Sequence, residues 1–268
     1  MKKTRNSFFY IGGVLSLVMT LLILVGYVWT PYSPTQMDAS AMNQGPSLAH
    51  LLGTDNFGRD IFSRVLEGAG VSFLIAVCVV AIGCVCGVII GGLCGYYGGV
   101  ADAVLTRVCD SITAFPSVLL ALVVVSITGA GTYNIILALG ILFIPSFARV
   151  VRGEFARCRD LNYIKSARLM GVSDARILFR HILPNTCAVL LPAITIGFNN
   201  AILSEASMSF LGLGIQPPHA SLGSMLSDSQ TYLGSAPWYA LGVGGTIVLL
   251  ILGFSLLSEG LQQRAGRN

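Results

Sequence analysis

Charged positions divide the chain into long apolar runs joined by shorter polar stretches. Phe8 to Trp29 is 22 residues without a charge, and a helix of that length crosses about 30 Å of hydrocarbon. Val71 to Tyr97 is a second such run. Ser111 to Ala148 holds 38 uncharged residues, too many for one crossing, and the turn-forming Gly129-Ala130-Gly131-Thr132 divides it into spans three and four. Asn185–Ser204 and Pro237–Ser258 complete a set of six. Periodicity alone does not separate a buried strand from a buried helix. Run lengths of about 20 residues without strict alternation favour helices over a membrane barrel, which predicts an all-α, polytopic membrane protein. A cleaved leader ending near Ala39-Ser40-Ala41 competes for the first run, but that run exceeds the roughly 7–15 apolar residues of a leader, and Pro31 and Pro34 intervene.

Composition agrees. Hydrophobic residues make up 54% of the chain and charged ones 10%, against roughly 25% charged in a soluble domain, so the bilayer must solvate much of the surface. Disorder is excluded by the same balance, and a net charge of +4 confined to a few loops does not point to nucleic acid. The basic residues set the orientation. With a cytoplasmic amino terminus, Lys2, Lys3, Arg5, Arg107, the eight basic residues between 149 and 180, Arg264 and Arg267 all lie inside, leaving Arg59 and Arg64 as the two of 16 outside. That bias predicts six spans with both termini cytoplasmic. Trp29, Tyr32 and Trp238 then fall at the external interface.

Within the spans, Gly83, Gly87, Gly91, Gly95 and Gly99 recur every fourth residue. Such a ridge lets another backbone approach closely, which predicts helix packing, with a dimer interface or a path-lining groove as the sharper alternatives. Asn199, Asn200 and Glu205 of span five are too polar for lipid. They are candidates for a translocation path, interhelical hydrogen bonding being the competing reading, and Glu205 is expected at the outer mouth. Cys84-Val85-Cys86 lacks a histidine, and residues two apart do not share a helix face, so no metal site is expected. No phosphate-binding loop, His-Glu-x-x-His or Gly-x-Ser-x-Gly is present, so no catalytic residue or cofactor is assigned. Asp55 and Asp60 sit beside Arg59 and Arg64, where ion pairing is the simpler explanation.

The polar, basic stretch 149–184 is the largest cytoplasmic loop. Tyr163, Ile164, Ala167 and Met170 share an apolar side of a predicted helix that Gly171 stops. A second helix is expected to start at Ser173 as N-cap and to end at Pro184. Arg176 and Arg180 stand one turn apart, a like-charge pair costing about 0.2–0.5 kcal/mol in isolation. An acidic protein partner or anionic lipid headgroups would relieve it equally well.

Tyr163-Ile164-Lys165-Ser166-Ala167-Arg168-Leu169-Met170-Gly171-Val172-Ser173, continued by Phe179-Arg180-His181-Ile182-Leu183-Pro184-Asn185, resembles the Glu-Ala-Ala loop of ABC importer permeases. Two further blocks, Leu52-Gly53-Thr54-Asp55-Asn56-Phe57-Gly58-Arg59-Asp60 with its continuation to Arg64, and Glu205-Ala206-Ser207-Met208-Ser209-Phe210 with its continuation to Pro218, resemble the second permease subunit of dipeptide, oligopeptide and nickel importers. Lys165 and Ser166 stand where that family has Glu and its first Ala. The resemblance implies a type I importer fold in a bacterial cytoplasmic membrane, with an amino-terminal helix and external segment over 1–69 and the transmembrane domain over 70–268. It implies a heterodimer with a second permease subunit, two ATP-binding subunits and an external solute-binding protein, working by alternating access. It further implies an ATPase-coupling role for Tyr163, Lys165, Ser166, Ala167, Gly171, Ser173, Arg176, Arg180 and Pro184. Small peptides, nickel or metal chelates are the cargoes it allows. An ion-gradient-driven secondary transporter is the alternative, for which internal repeats and intramembrane charges would be expected.

Overall fold

The computed structural model describes residues 4–265; Lys2, Lys3 and Arg267 lie outside them, as do the side chains of Arg5 and Arg264. Ten helices follow in order: α1 Thr4–Val28, α2 Ile61–Tyr97, α3 Gly99–Thr113, α4 Ser117–Thr128, α5 Thr132–Arg159, α6 Asn162–Leu169, α7 Asp174–Arg176, α8 Leu183–Phe210, α9 Leu222–Gln230 and α10 Pro237–Ala265. No strand occurs among the described residues. Five segments are long and apolar enough to cross a membrane, and the α3–α4 pair, bent by 87° at its break, makes six when it is counted as one span. Leu17, Leu21 and Leu24 of α1, Ile89 of α2 and Leu241 and Val248 of α10 face outward, as they must where lipid rather than water is the neighbour.

Boundaries differ from the charge-free runs where charge is paired. α2 begins at Ile61, ten residues before Val71, because Asp60 caps it by accepting from Ser63 N at 2.8 Å. The limit expected between 69 and 70 therefore falls inside one unbroken helix. Outside the membrane, Asp55 accepts from Phe57 N and Arg59 N at 2.9 Å, binds Arg59 Nε at 2.6 Å and lies 3.6 Å from Arg64 Nε. All three charged side chains are buried, so ion pairing is what these residues do, and it organises the segment leading into α2. Ala39–Ala41 forms a short 3-10 turn in that segment.

The core of the bundle is α2 against α5. A methyl group placed on Gly83 would lie 2.8 Å from Phe143 Cβ and one on Gly87 2.6 Å from Phe147 Cβ, while Gly91 and Gly95 press on the carbonyls of Ala148 and Arg152. The ridge is thus made of four glycines, Gly83 to Gly95. Gly99 does not belong to it: it lies beyond the end of α2, opens α3 with φ +71° and has no heavy atom within 4 Å of its added methyl. It is part of a turn, since the ridge cannot continue past the point where the helix ends. α1 packs on α10 through Gly12 against Leu256 and Leu257, and through Gly260 against Phe9.

Candidate functional site

The cytoplasmic loop folds as two short helices joined at Gly171. α6 buries Ile164 and Ala167. Tyr163 is held at its hydroxyl by Asn185 Nδ2, 3.0 Å away. Met170, expected on the same apolar side, is 76% exposed instead, because it is already the capping residue and has left the helical line. Gly171, at φ +76°, donates to the Arg168 carbonyl at 3.0 Å, and Val172 donates to the Ala167 carbonyl at 3.1 Å. This pair of bonds satisfies the last turn of α6 and needs a residue tolerant of the left-handed region. Lys165 and Ser166 are exposed, as are Leu169 at 89% and, further along, Phe179 at 71%, with Arg176 and Arg180 alongside. Among the described residues neither Arg176 nor Arg180 makes an ion pair.

Ser173 occupies the N-cap of α7, with extended backbone, though its side chain makes no capping bond. Pro184 does not end the second helix. The chain passes from α7 through a π-helical turn, Ile177–Ile182, straight into α8, and Pro184 sits in the first turn of α8. Leu183 N bonds the carbonyl of Leu178, five residues back. The wider turn accommodates a residue that has no N–H to give and whose ring would crowd a regular helix.

Sequence reasoning missed Tyr96, read only as part of an apolar run. Its hydroxyl donates to Asp174 Oδ1 at 2.6 Å and accepts from Arg168 Nη2 at 2.9 Å. The bond to Tyr96 raises the Arg168 guanidinium further above its ordinary range. The signal was slight: paired tyrosines at the end of a span read equally well as interfacial anchors.

Between α4, α5 and α8 lies a cavity of about 560 Å³, lined by Ser117, Ser146, Asn200, Ser204 and Ser207 among apolar side chains. Asn200 faces it. Asn199 turns toward α10, donating from Nδ2 to Ser255 Oγ at 2.9 Å. Glu205 is at no open mouth: it is 0% exposed, and Ser209 Oγ donates to its Oε1 at 2.6 Å. A carboxyl in the membrane zone is enclosed by protein because lipid offers it no partner. Asn199→Val is expected to lower stability by about 0.6 kcal/mol, the average for such interhelical bonds, in a denaturation series on the purified protein. Loss of transport without loss of stability would show that Asn199 serves cargo instead.

Residues 87–267 match the family described as "Binding-protein-dependent transport system inner membrane component". The chain belongs to this family. It is 41% identical over 251 residues to the glutathione transport system permease protein GsiD of Pectobacterium atrosepticum, covering 92% of this chain and 83% of that one. It is 38% identical over 258 residues to the dipeptide transport system permease protein DppC of Alkalihalophilus pseudofirmus, covering 96% and 85%. A solved inward-facing structure of the MetNI methionine ABC transporter superposes with TM-score 0.54 at 18% identity, over 75% of this chain and 94% of that one. The permease therefore has the type I importer fold. It is a multi-pass inner-membrane subunit of an ABC importer of the peptide family, corresponding to the second permease subunit.

Proposed function

We propose that this permease carries small peptides inward by alternating access, with ATP hydrolysed on two separate subunits that push on the 149–184 loop. The observation that carries the reading is the surface of that loop. Leu169, Met170 and Phe179 project from it beside Lys165, Arg176 and Arg180, and exposed apolar side chains rimmed by charge mark a protein contact. An acidic partner would relieve the Arg176–Arg180 repulsion. Tyr163, Ser166, Ala167, Gly171, Ser173 and Pro184 then shape and hold the lever, while Lys165, Arg176 and Arg180 meet the motor. A second permease subunit and an external solute-binding protein complete the assembly, the latter choosing the cargo. Asn200 is the path residue this reading favours, since it faces the cavity. The relatives named above carry glutathione and dipeptide in their names, which favours small peptides over nickel or metal chelates.

The test is uptake by the complete importer in proteoliposomes supplied with binding protein. ATP-dependent, vanadate-sensitive accumulation of a dipeptide or glutathione is expected. Uptake driven by an ion gradient without ATP would instead establish the secondary-transporter alternative. Met170→Cys is expected to cross-link to an ATP-binding subunit; its failure to do so in an assembled, active importer would remove the coupling role of the loop.

A further inference from the structure

Two side chains of the loop, Arg168 and Asp174, converge on the hydroxyl of Tyr96, which lies 72 and 78 positions before them in the chain. Tyr96, next to last in α2, is 3% exposed. Its hydroxyl donates a hydrogen bond to Asp174 Oδ1 at 2.6 Å and accepts one from Arg168 Nη2 at 2.9 Å, and the Arg168 guanidinium lies 5.3 Å from the centre of its ring. A phenol has one proton to donate and lone pairs to accept with. Here both capacities meet charged partners, the stronger class of hydrogen bond. From the end of α5, Arg159 Nη1 reaches the carbonyls of Gly95 and Tyr96 at 3.4 and 3.3 Å, so the last turn of α2 is fastened on that side as well.

The far side of the loop is tied to a different helix, through Asn185 and Tyr163 at 3.0 Å. α6 itself is eight residues long with two buried side chains. So small an apolar grip leaves the polar ties to decide whether the loop moves the spans or slides over them. Immediately beyond Tyr97 the backbone turns at Gly98 and Gly99, with φ of +69° and +71°. Tyr96 is thus near the last rigid point of α2 before a joint.

We propose that Tyr96 is a positioning residue for transport, its hydroxyl clamping the coupling loop to α2 so that a push on α6 turns the α2–α5 pair. The proposal rests on α6 being the coupling element. It assigns a transmission point that lies off the surface meeting the motor. α2 and α5 respond together because the glycine ridge leaves no space between their backbones.

Tyr96→Phe keeps the ring and its packing and removes only the hydroxyl. In the reconstituted importer with its binding protein, the ratio of peptide imported to ATP hydrolysed is expected to fall about tenfold, as loss of a charge-assisted bond of this class predicts. Asp174→Ala, at an exposed position, removes the acceptor and is expected to lower the ratio similarly. The double variant should be no worse than the worse single one, because both cut the same link. A purely structural role would lower the amount of assembled complex and leave this ratio unchanged. Wild-type ratios in Tyr96→Phe and Asp174→Ala overturn the clamp. If Tyr96→Phe does not assemble, Asp174→Ala alone decides. The Met170→Cys cross-link separates the two levels: with the cross-link formed and the ratio unchanged, only the clamp fails, and without the cross-link the coupling reading fails and takes the clamp with it.

Discussion

Gly171→Val is expected to abolish uptake while the importer still assembles. The reason is torsional. A methyl group added at Gly171 meets no heavy atom within 4 Å, yet φ is +76°, a region that costs an L-residue about 1–2 kcal/mol and a β-branched one more. Relieving that strain breaks the bonds from Gly171 N to Arg168 O and from Val172 N to Ala167 O. It also swings α6 away from α7, displacing Leu169 and Met170 from the face they present. The close backbone contacts of α2 with α5 and of α1 with α10 involve none of the residues of this turn, so the transmembrane bundle should still form and co-purify with the second permease subunit. Gly171→Asn, which tolerates the left-handed region, is expected to keep much of the activity. The check is peptide uptake in proteoliposomes alongside subunit stoichiometry on a sizing column. Normal uptake by Gly171→Val would remove the loop from the mechanism.

Gly91→Leu is expected to prevent the bundle from closing. Any Cβ there overlaps the Ala148 carbonyl, a backbone atom on α5 that cannot rotate aside as a side chain would. Overpacking usually costs about 1–3 kcal/mol, and with backbone as the obstacle the whole of α5 must move, placing this case at or above the upper end. A sharp drop in the midpoint of thermal unfolding in detergent is expected, with little assembled complex recovered. Gly245→Ala is the matched comparison: it lies in α10 with nothing within 4 Å, and it should be neutral or add roughly 0.5–1 kcal/mol through helix propensity. Equal midpoints for the two variants would mean that the ridge of four glycines does not hold α2 to α5.

What governs a residue in this protein is whether its surroundings are lipid or other protein, and the two differ in how far they can be read from the chain. A span of charge-free residues has no stable alternative to a membrane helix, because the bilayer core leaves backbone groups no partner outside their own segment. The crossing segments, the break at Gly129–Thr132, which falls where α4 gives way to α5, and the stop at Gly171 were therefore legible. So was the 149–184 loop, through its motif. Charges defeat the same logic once they are paired. Arg64 and Glu67 end the apolar run, yet both lie inside α2, with Arg64 beside Asp55 and Glu67 3.1 Å from His219 Nδ1. Pro184 reads as a helix end and is carried through by a π turn. Asn199 and Asn200 are adjacent in the chain, yet one bonds Ser255 while the other faces the cavity. The sequence by itself determined the solvent and the order of the apolar crossing segments, since these follow from the cost of exposing charge and backbone to hydrocarbon. Only the tertiary structure decided which distant polar groups find one another, from Tyr96 with Asp174 and Arg168 to Asn199 with Ser255, because partners in three dimensions have no signature along the chain.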